Sequence, residues 1–202
     1  MFPMNLQSRK HTANPVCTKY AILLLCSWLL TAGGCMTISE DEELPSSVQQ
    51  YLPDPSKQIP VTENTFVCLE KMRAVRGFFV GNLMDKLDET VAAAMQPAGA
   101  PYPPGSIVQL IPDEAMIKHQ KGWSTVTNDW EFFALDVSKE GTKIKARGTT
   151  QVKNKFGGNC FECHRKAKPQ WDFICEEGHG CDSLPIPDFL IRRAQRNDPR
   201  CD

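Results

Sequence analysis

The sequence predicts an α+β fold: a mostly antiparallel β-sheet domain with flanking helices. Three observations predict it. Asn128-Asp-Trp-Glu-Phe-Phe-Ala-Leu-Asp-Val137 is rich in aromatic and aliphatic residues that suit a pleated, half-buried surface, and Lys143-Ile-Lys-Ala-Arg-Gly148 follows it across a Glu140-Gly141 turn. Leu83, Leu87, Val91 and Met95 recur every four residues with Asp85, Lys86, Asp88 and Glu89 between them, which marks an amphipathic helix stopped by Pro97 and Gly99. Strands separated by irregular links and flanked by helices give an antiparallel α+β domain.

At the N-terminus, Arg9, Lys10 and Lys19 precede the apolar run Ala21–Leu30, which is too short to span a bilayer. Residues 1–34 are therefore expected to be an export signal. Thr31-Ala32-Gly33-Gly34-Cys35 resembles a bacterial lipobox, with Ala32 where that pattern usually has Leu. The expectation is cleavage before Cys35 and its lipidation, which would hold the protein on the periplasmic side of a bacterial membrane. An ordinary signal peptide cut nearby is the alternative, and would leave the protein free in the periplasm. The formal net charge of −1 argues against a nucleic-acid surface, and the signal removes three basic residues and no acidic ones. Residues 35–61, with Glu40-Asp41-Glu42-Glu43, Ser46-Ser47 and several prolines, read as a tether too polar to offset the entropy of ordering it. The folded domain is expected over 62–202.

Within that domain, Arg76–Gly81 reads as a short strand, bounded by glycine. The amphipathic helix follows. Pro101-Tyr-Pro-Pro-Gly105 is a turn, Ser106–Ile111 a strand, and Pro112–His119 a short helical turn. Methionines 84 and 95, on the helix stripe, are expected in the core rather than on a metal.

The chemistry concentrates in Phe156-Gly-Gly-Asn-Cys160-Phe-Glu-Cys163-His164. Two thiols at i and i+3 followed directly by an imidazole form the Cys-x-x-Cys-His pattern of covalent c-type haem attachment. Cys160 and Cys163 would form thioethers with the porphyrin vinyl groups, and His164 would be the proximal iron ligand. A thioredoxin-like redox pair does not need the histidine, and a zinc site needs a second ligand pair, for which Cys175, His179 and Cys181 are candidates.

Of nine cysteines, Cys17 and Cys26 lie in the signal, Cys35 is assigned to lipid, and Cys160 and Cys163 to haem. Cys68, Cys175, Cys181 and Cys201 remain, an even set for an oxidising compartment, with three pairings open. Short separation favours Cys175 with Cys181, which leaves Cys68 with Cys201. No methionine follows His164, and His119 and His179 are the other histidines beyond the signal. A sixth iron ligand would come from upstream, from His179, expected at the surface, or from nowhere. An open iron face is the expectation, and a bis-histidine electron carrier the alternative.

From Arg76 to Ile186 the chain resembles the cytochrome P-460 family, which includes the cytochromes c′-beta. The resemblance rests on the late Cys-x-x-Cys-His, the Pro104-Gly-Ser-Ile-Val108 turn and strand, Trp130-x-Phe132 in a strand before the motif, and Trp171-Asp-Phe173 after it. It implies a periplasmic, mostly antiparallel β domain with one covalent haem c, usually homodimeric, with an exchangeable or empty distal position. Known members oxidise hydroxylamine or bind nitric oxide. Catalytic members carry a lysine cross-linked to the porphyrin, and the matching position here is Leu110, beside Gln109, neither of which can form that link. This places the chain nearer the cytochromes c′-beta. Glu114 falls where catalytic members have a pocket carboxylate, and would act as acid or base; an exposed glutamate in a turn is the alternative. Trp130 and Phe132 are expected beside the haem, and Phe78, Phe79, Phe132 and Phe133 supply candidates for an aromatic cap. Arg165, Lys166 and Lys168 are candidates for the haem propionates.

Two function classes follow. One is a lipid-anchored haem protein that binds or redox-processes a small nitrogen ligand, nitric oxide or hydroxylamine, in exchange with a redox partner protein. The other is a simple electron-transfer cytochrome with six-coordinate haem.

Overall fold

The structure, a computed structural model, describes residues 52–201. The expected signal over 1–34, the lipidation site Cys35 and the acidic run of the tether lie outside the described residues. Among the described residues no helix is long and apolar enough to cross a membrane.

Six strands form one antiparallel sheet in sequence order: β1 (Arg73–Val75), β2 (Phe78–Asn82), β3 (Ser106–Gln109), β4 (Glu114–Lys118), β5 (Trp130–Ser138) and β6 (Gly141–Gly148). Each strand pairs with the next, so every connection is local and no crossover is needed. The α+β class expected from the sequence is observed. The Arg76–Gly81 strand begins at Phe78, because Arg76 turns the chain at φ 52° and lets β1 pair back on β2.

Helix α1 (Leu87–Met95) packs on β1 and β2. Leu87, Val91 and Ala94 face the core, Asp88 and Glu89 sit in its first turn where the helix dipole favours them, and the chain leaves the helix at Gln96, before Pro97. Leu83 and Met84 precede this helix, and Met84 and Met95 are exposed, so the expected methionine packing does not occur. Gly105, which joins the turn to β3 at φ 87°, has no room for a side chain: a Cβ there would lie 2.9 Å from the Asn82 Oδ1.

The period of two along the strands divides the core. Val80, Val108, Met116, Trp130 and Phe132 pack on one face with α1; Ile107, Ala115, Ile117, Phe133 and Leu135 pack on the other with Val61 and Phe66. Phe79 pairs with Gln109 and belongs to the second face, as does Phe133, which packs 5.1 Å from the Phe66 ring. Both therefore point away from the first face, where Phe78 and Phe132 lie.

Pro112–His119 is not a helical turn. Glu114–Lys118 pairs along its whole length with Trp130–Ala134 as β4, and Ala115 to Lys118 are all buried. A strand covered on both faces shows no polar alternation, and Pro112-Asp-Glu imitates a helix start. The expected tether boundary also moves: Ile59 and Val61 are buried, and the Asp54 amide bonds the Trp123 carbonyl at 2.7 Å, so the packed domain starts before Thr62.

Both disulfides favoured by cysteine counting are present, Cys175–Cys181 and Cys68–Cys201. The second ties the C-terminal turn to the start of the domain, where Asp198 also accepts the Leu69 amide and pairs with Arg200.

Candidate functional site

Helix α2 (Cys160–His164) is one short turn carrying the Cys-x-x-Cys-His pattern. It is built locally. The Asn154 side chain accepts the amides of Phe156 and Gly158, closing the turn before it, and Asn159 caps the helix by accepting the Glu162 amide at 3.0 Å. The Cys160 amide bonds the Val152 carbonyl, and Cys160 and Phe161 pack on the first face of the sheet.

Cys160 and Cys163 are the free cysteines among the described residues, both partly buried. Burial first, then the Glu114 carboxylate, pushes the Cys160 thiol up to about 11; burial also raises Cys163. A redox Cys-x-x-Cys calls for a thiol shifted the other way, toward thiolate, so the direction of these shifts does not favour that alternative. The zinc alternative loses its ligands. Cys175 and Cys181 are bonded to each other, and His179 is buried rather than at the surface, stacked on Trp171 at 3.7 Å with its Nδ1 on the Ile174 carbonyl. The one cluster of metal-type side chains among the described residues is Cys68, Glu70 and Cys201, whose cysteines form the other disulfide.

His164 has the arrangement an iron ligand needs. Its Nδ1 lies 2.7 Å from the Phe173 carbonyl, which can only accept, so Nδ1 carries the proton and Nε2 keeps its lone pair. Burial lowers its pKa and favours the neutral ring. Phe132 lies 5.4 Å from the imidazole, centroid to centroid. Met116 pairs with Phe132 in β4 and lies on the same face, a thioether that the sequence reading passed over.

Glu114 stands on this face too, opposite Ala134, and close enough to both thiols to raise their pKa. Its Oε1 is buried without a hydrogen-bond partner. Burial, with Asp113 adding to it, pushes the carboxyl up to about 7, and Lys155 opposes them. Glu114 is thus a half-buried strand residue, with one carboxylate oxygen fully buried, poised to exchange a proton near neutrality, not an exposed glutamate in a turn. The folded chain keeps this proton between pH 4.5 and about 7 while the unfolded chain gives it up, so stability falls as pH rises through that window. In the haem-free chain Glu114→Gln is expected to gain nothing at pH 4 and about 3 kcal/mol over wild type above pH 8. Urea denaturation at the two pH values checks this; an equal difference at both removes Glu114 as the titrating group.

Trp130 is fully buried, and its indole N–H donates to the Asp172 carbonyl at 2.8 Å, so it holds the segment after the motif as well as the core. Leu110 is partly buried on the first face. The candidate propionate partners have other engagements: Arg165 with Glu162, Lys166 with Asp182, and Lys168 near the Gly178 carbonyl. His119 is removed as an iron ligand. It is fully buried, its Nδ1 accepts the Ile59 amide at 2.9 Å, and its Nε2 bonds Glu131 at 2.8 Å, with Arg147 gripping the same carboxylate. That triad lies on the opposite face, as does a cavity of about 640 Å³ that Trp123, Glu131 and Gln151 help to line.

Sequence reasoning missed Asp172 and Lys118. Lys118 Nζ meets the Asp172 carboxylate at 2.7 and 2.8 Å, and both side chains are almost fully buried. No local spacing joins residues 54 positions apart; a lysine at the end of an apolar strand was the available signal.

The donor set fits a covalently held haem: two reduced, protonated thiols on one turn, and a neutral imidazole oriented with one nitrogen free. An orphaned carboxylate oxygen nearby completes it. Comparisons with protein-family models, with curated proteins and with solved structures return no match.

Proposed function

We propose that this chain is an exported, lipid-anchored mono-haem c-type protein of the cytochrome P-460 kind, which binds or redox-processes a small nitrogen ligand such as nitric oxide or hydroxylamine. The observation that carries the reading is the free Cys160-x-x-Cys163-His164 turn with His164 Nδ1 fixed on the Phe173 carbonyl. The haem would supply an iron centre able to bind the ligand and exchange electrons with a partner protein. Cys160 and Cys163 would anchor it, and His164 Nε2 would hold the iron.

Glu114 supplies the protonic side of the chemistry. Hydroxylamine oxidation releases protons, and a half-buried carboxyl with a pKa of about 7 can take and pass them at neutral pH. Leu110 has no amine with which to form a cross-link to a porphyrin, which supports ligand binding over hydroxylamine turnover. Phe132, with Phe78 on the same face, supports an apolar surround that admits small uncharged molecules.

Met116 favours a second reading, a six-coordinate electron carrier, because its thioether lies on the same face beside Phe132. The optical spectrum of the dithionite-reduced protein with and without carbon monoxide decides between them. A high-spin spectrum that shifts at once on adding the gas is the expected result. A low-spin spectrum indifferent to carbon monoxide selects the electron carrier.

A further inference from the structure

Between the haem motif and the second disulfide, the chain makes a turn that its residues disfavour. Asp172 and Phe173 are consecutive non-glycine residues at φ 49° and 66°, and for a bulky phenylalanine the left-handed region is an outlier that its surroundings must enforce. The reward for this conformation is the direction of the Phe173 carbonyl, which meets the His164 Nδ1–H at 2.7 Å.

The enforcing contacts converge on Asp172. Its carboxylate accepts from the Tyr102 amide at 2.7 Å, from Lys118 Nζ at 2.7 and 2.8 Å and from the Asn128 side-chain amide at 2.6 Å. The Trp130 indole N–H donates to the Asp172 carbonyl at 2.8 Å and also lies 3.3 Å from its carboxylate. Lys118 ends β4 and Trp130 begins β5, directly opposite each other, so these two donors belong to the sheet itself. Solvation of the segment does not need so many partners. A buried polar network in which every member is satisfied fixes one geometry.

We propose that Asp172, held by Lys118, Asn128 and Trp130, is the positioning residue for the proximal ligand: it transmits the sheet's geometry through the Phe173 carbonyl to the His164 ring. This rests on the haem reading above and deepens it. A hydrogen bond of fixed length and direction to Nδ1 raises the donor strength of Nε2, and through it stabilises ferric over ferrous iron. Asp172 touches neither ligand nor iron, so its substitution should change the quality of the iron–imidazole bond and leave haem attachment intact.

Two full-length variants test this. Lys118→Met with Asp172→Asn removes both charges together, so neither is stranded, and Asn tolerates the left-handed conformation. Asn128→Gly removes one donor at a residue whose φ of 48° suits glycine, and serves if the first variant does not fold. In both, haem content is expected to match wild type, while the ferrous iron–histidine stretching band in resonance Raman spectra moves to lower frequency and the midpoint potential rises. Wild-type band and potential in every folded variant overturn the proposal. A wild-type chain without covalent haem refutes the haem reading instead, and the positioning claim is then read from the His164 ring by nitrogen-15 NMR of the same chain. A single Nδ1–H tautomer that becomes mixed in the variants supports it, and an unchanged tautomer overturns it.

Discussion

Replacing Cys160 and Cys163 together by Ser is expected to abolish covalent haem, from a stoichiometric complement in wild type to none retained after acid–acetone extraction. The reasoning is chemical: a thioether requires a thiol carbon–sulfur bond to the porphyrin, and a serine hydroxyl does not add to the vinyl groups under the same conditions. The fold should tolerate the change. Both side chains are partly buried at the edge of the core, and the turn they occupy is capped by Asn159 and closed by Asn154, neither of which is altered. Single variants should keep one thioether, and with it part of the pigment. His164→Ala is the complementary substitution: it should leave the thioethers and remove the proximal bond, so the haem remains attached while its spectrum changes. Production must be in cells able to mature c-type cytochromes, with far-UV circular dichroism to confirm folding. Haem retained by the double Ser variant, or a wild-type protein that is colourless, would end the haem reading, and with it the roles assigned to Glu114 and Leu110.

How much of this was legible in the sequence depended on whether the signal was local. The hairpin of β5 and β6, helix α1 and the Cys-x-x-Cys-His turn were legible, because each is set by residues within one turn or one strand length. The disulfides yielded to counting, since the expected export signal, lipidation site and haem motif together left four thiols. β4 was not legible. It is buried on both faces, so its side chains lack the alternation that marks a half-covered strand, and its neighbours Pro112 and Asp113 favour a helix start. That single misassignment hid the most informative fact about Glu114, the burial of its Oε1 in a strand, and hid the row Glu114, Met116 and Lys118 on one face. The two faces of β5 were equally hidden: only pairing decides that Phe132 looks toward His164 and Phe133 away from it. Asp172 is the extreme case. Its partners come from a turn, a loop and two strands, and the fold alone brings them together.

Asp172→Ala alone should be among the most destabilising single substitutions in the domain, costing about 3–5 kcal/mol at pH 7. It strands a charge. Lys118 has a side-chain exposure of 7 %, and Asp172 is its one ion-pair partner among the described residues. The Tyr102 amide and the Asn128 and Trp130 side chains would lose an acceptor at the same time, and alanine at φ 49° adds strain that aspartate tolerates better. The pH dependence identifies the cause. Burial already lowers the Lys118 pKa below 10.5, and Asp172 is the main influence holding it up. Without Asp172 the folded-state pKa drops further while the unfolded value stays near 10.5, so the unfolded chain binds the extra proton and stability rises with pH between those two values. The deficit of Asp172→Ala should therefore shrink between pH 7 and pH 10, as Lys118 sheds its proton in the folded chain. A deficit caused only by lost packing would not change with pH, and a charge-removing Lys118→Met added to Asp172→Ala should recover much of it at pH 7. Urea denaturation of the three proteins at both pH values measures this directly. A single variant within about 1 kcal/mol of wild type at pH 7 would mean that the Lys118 ammonium reaches water once its partner is gone, and that the pair does not lock the segment carrying Phe173.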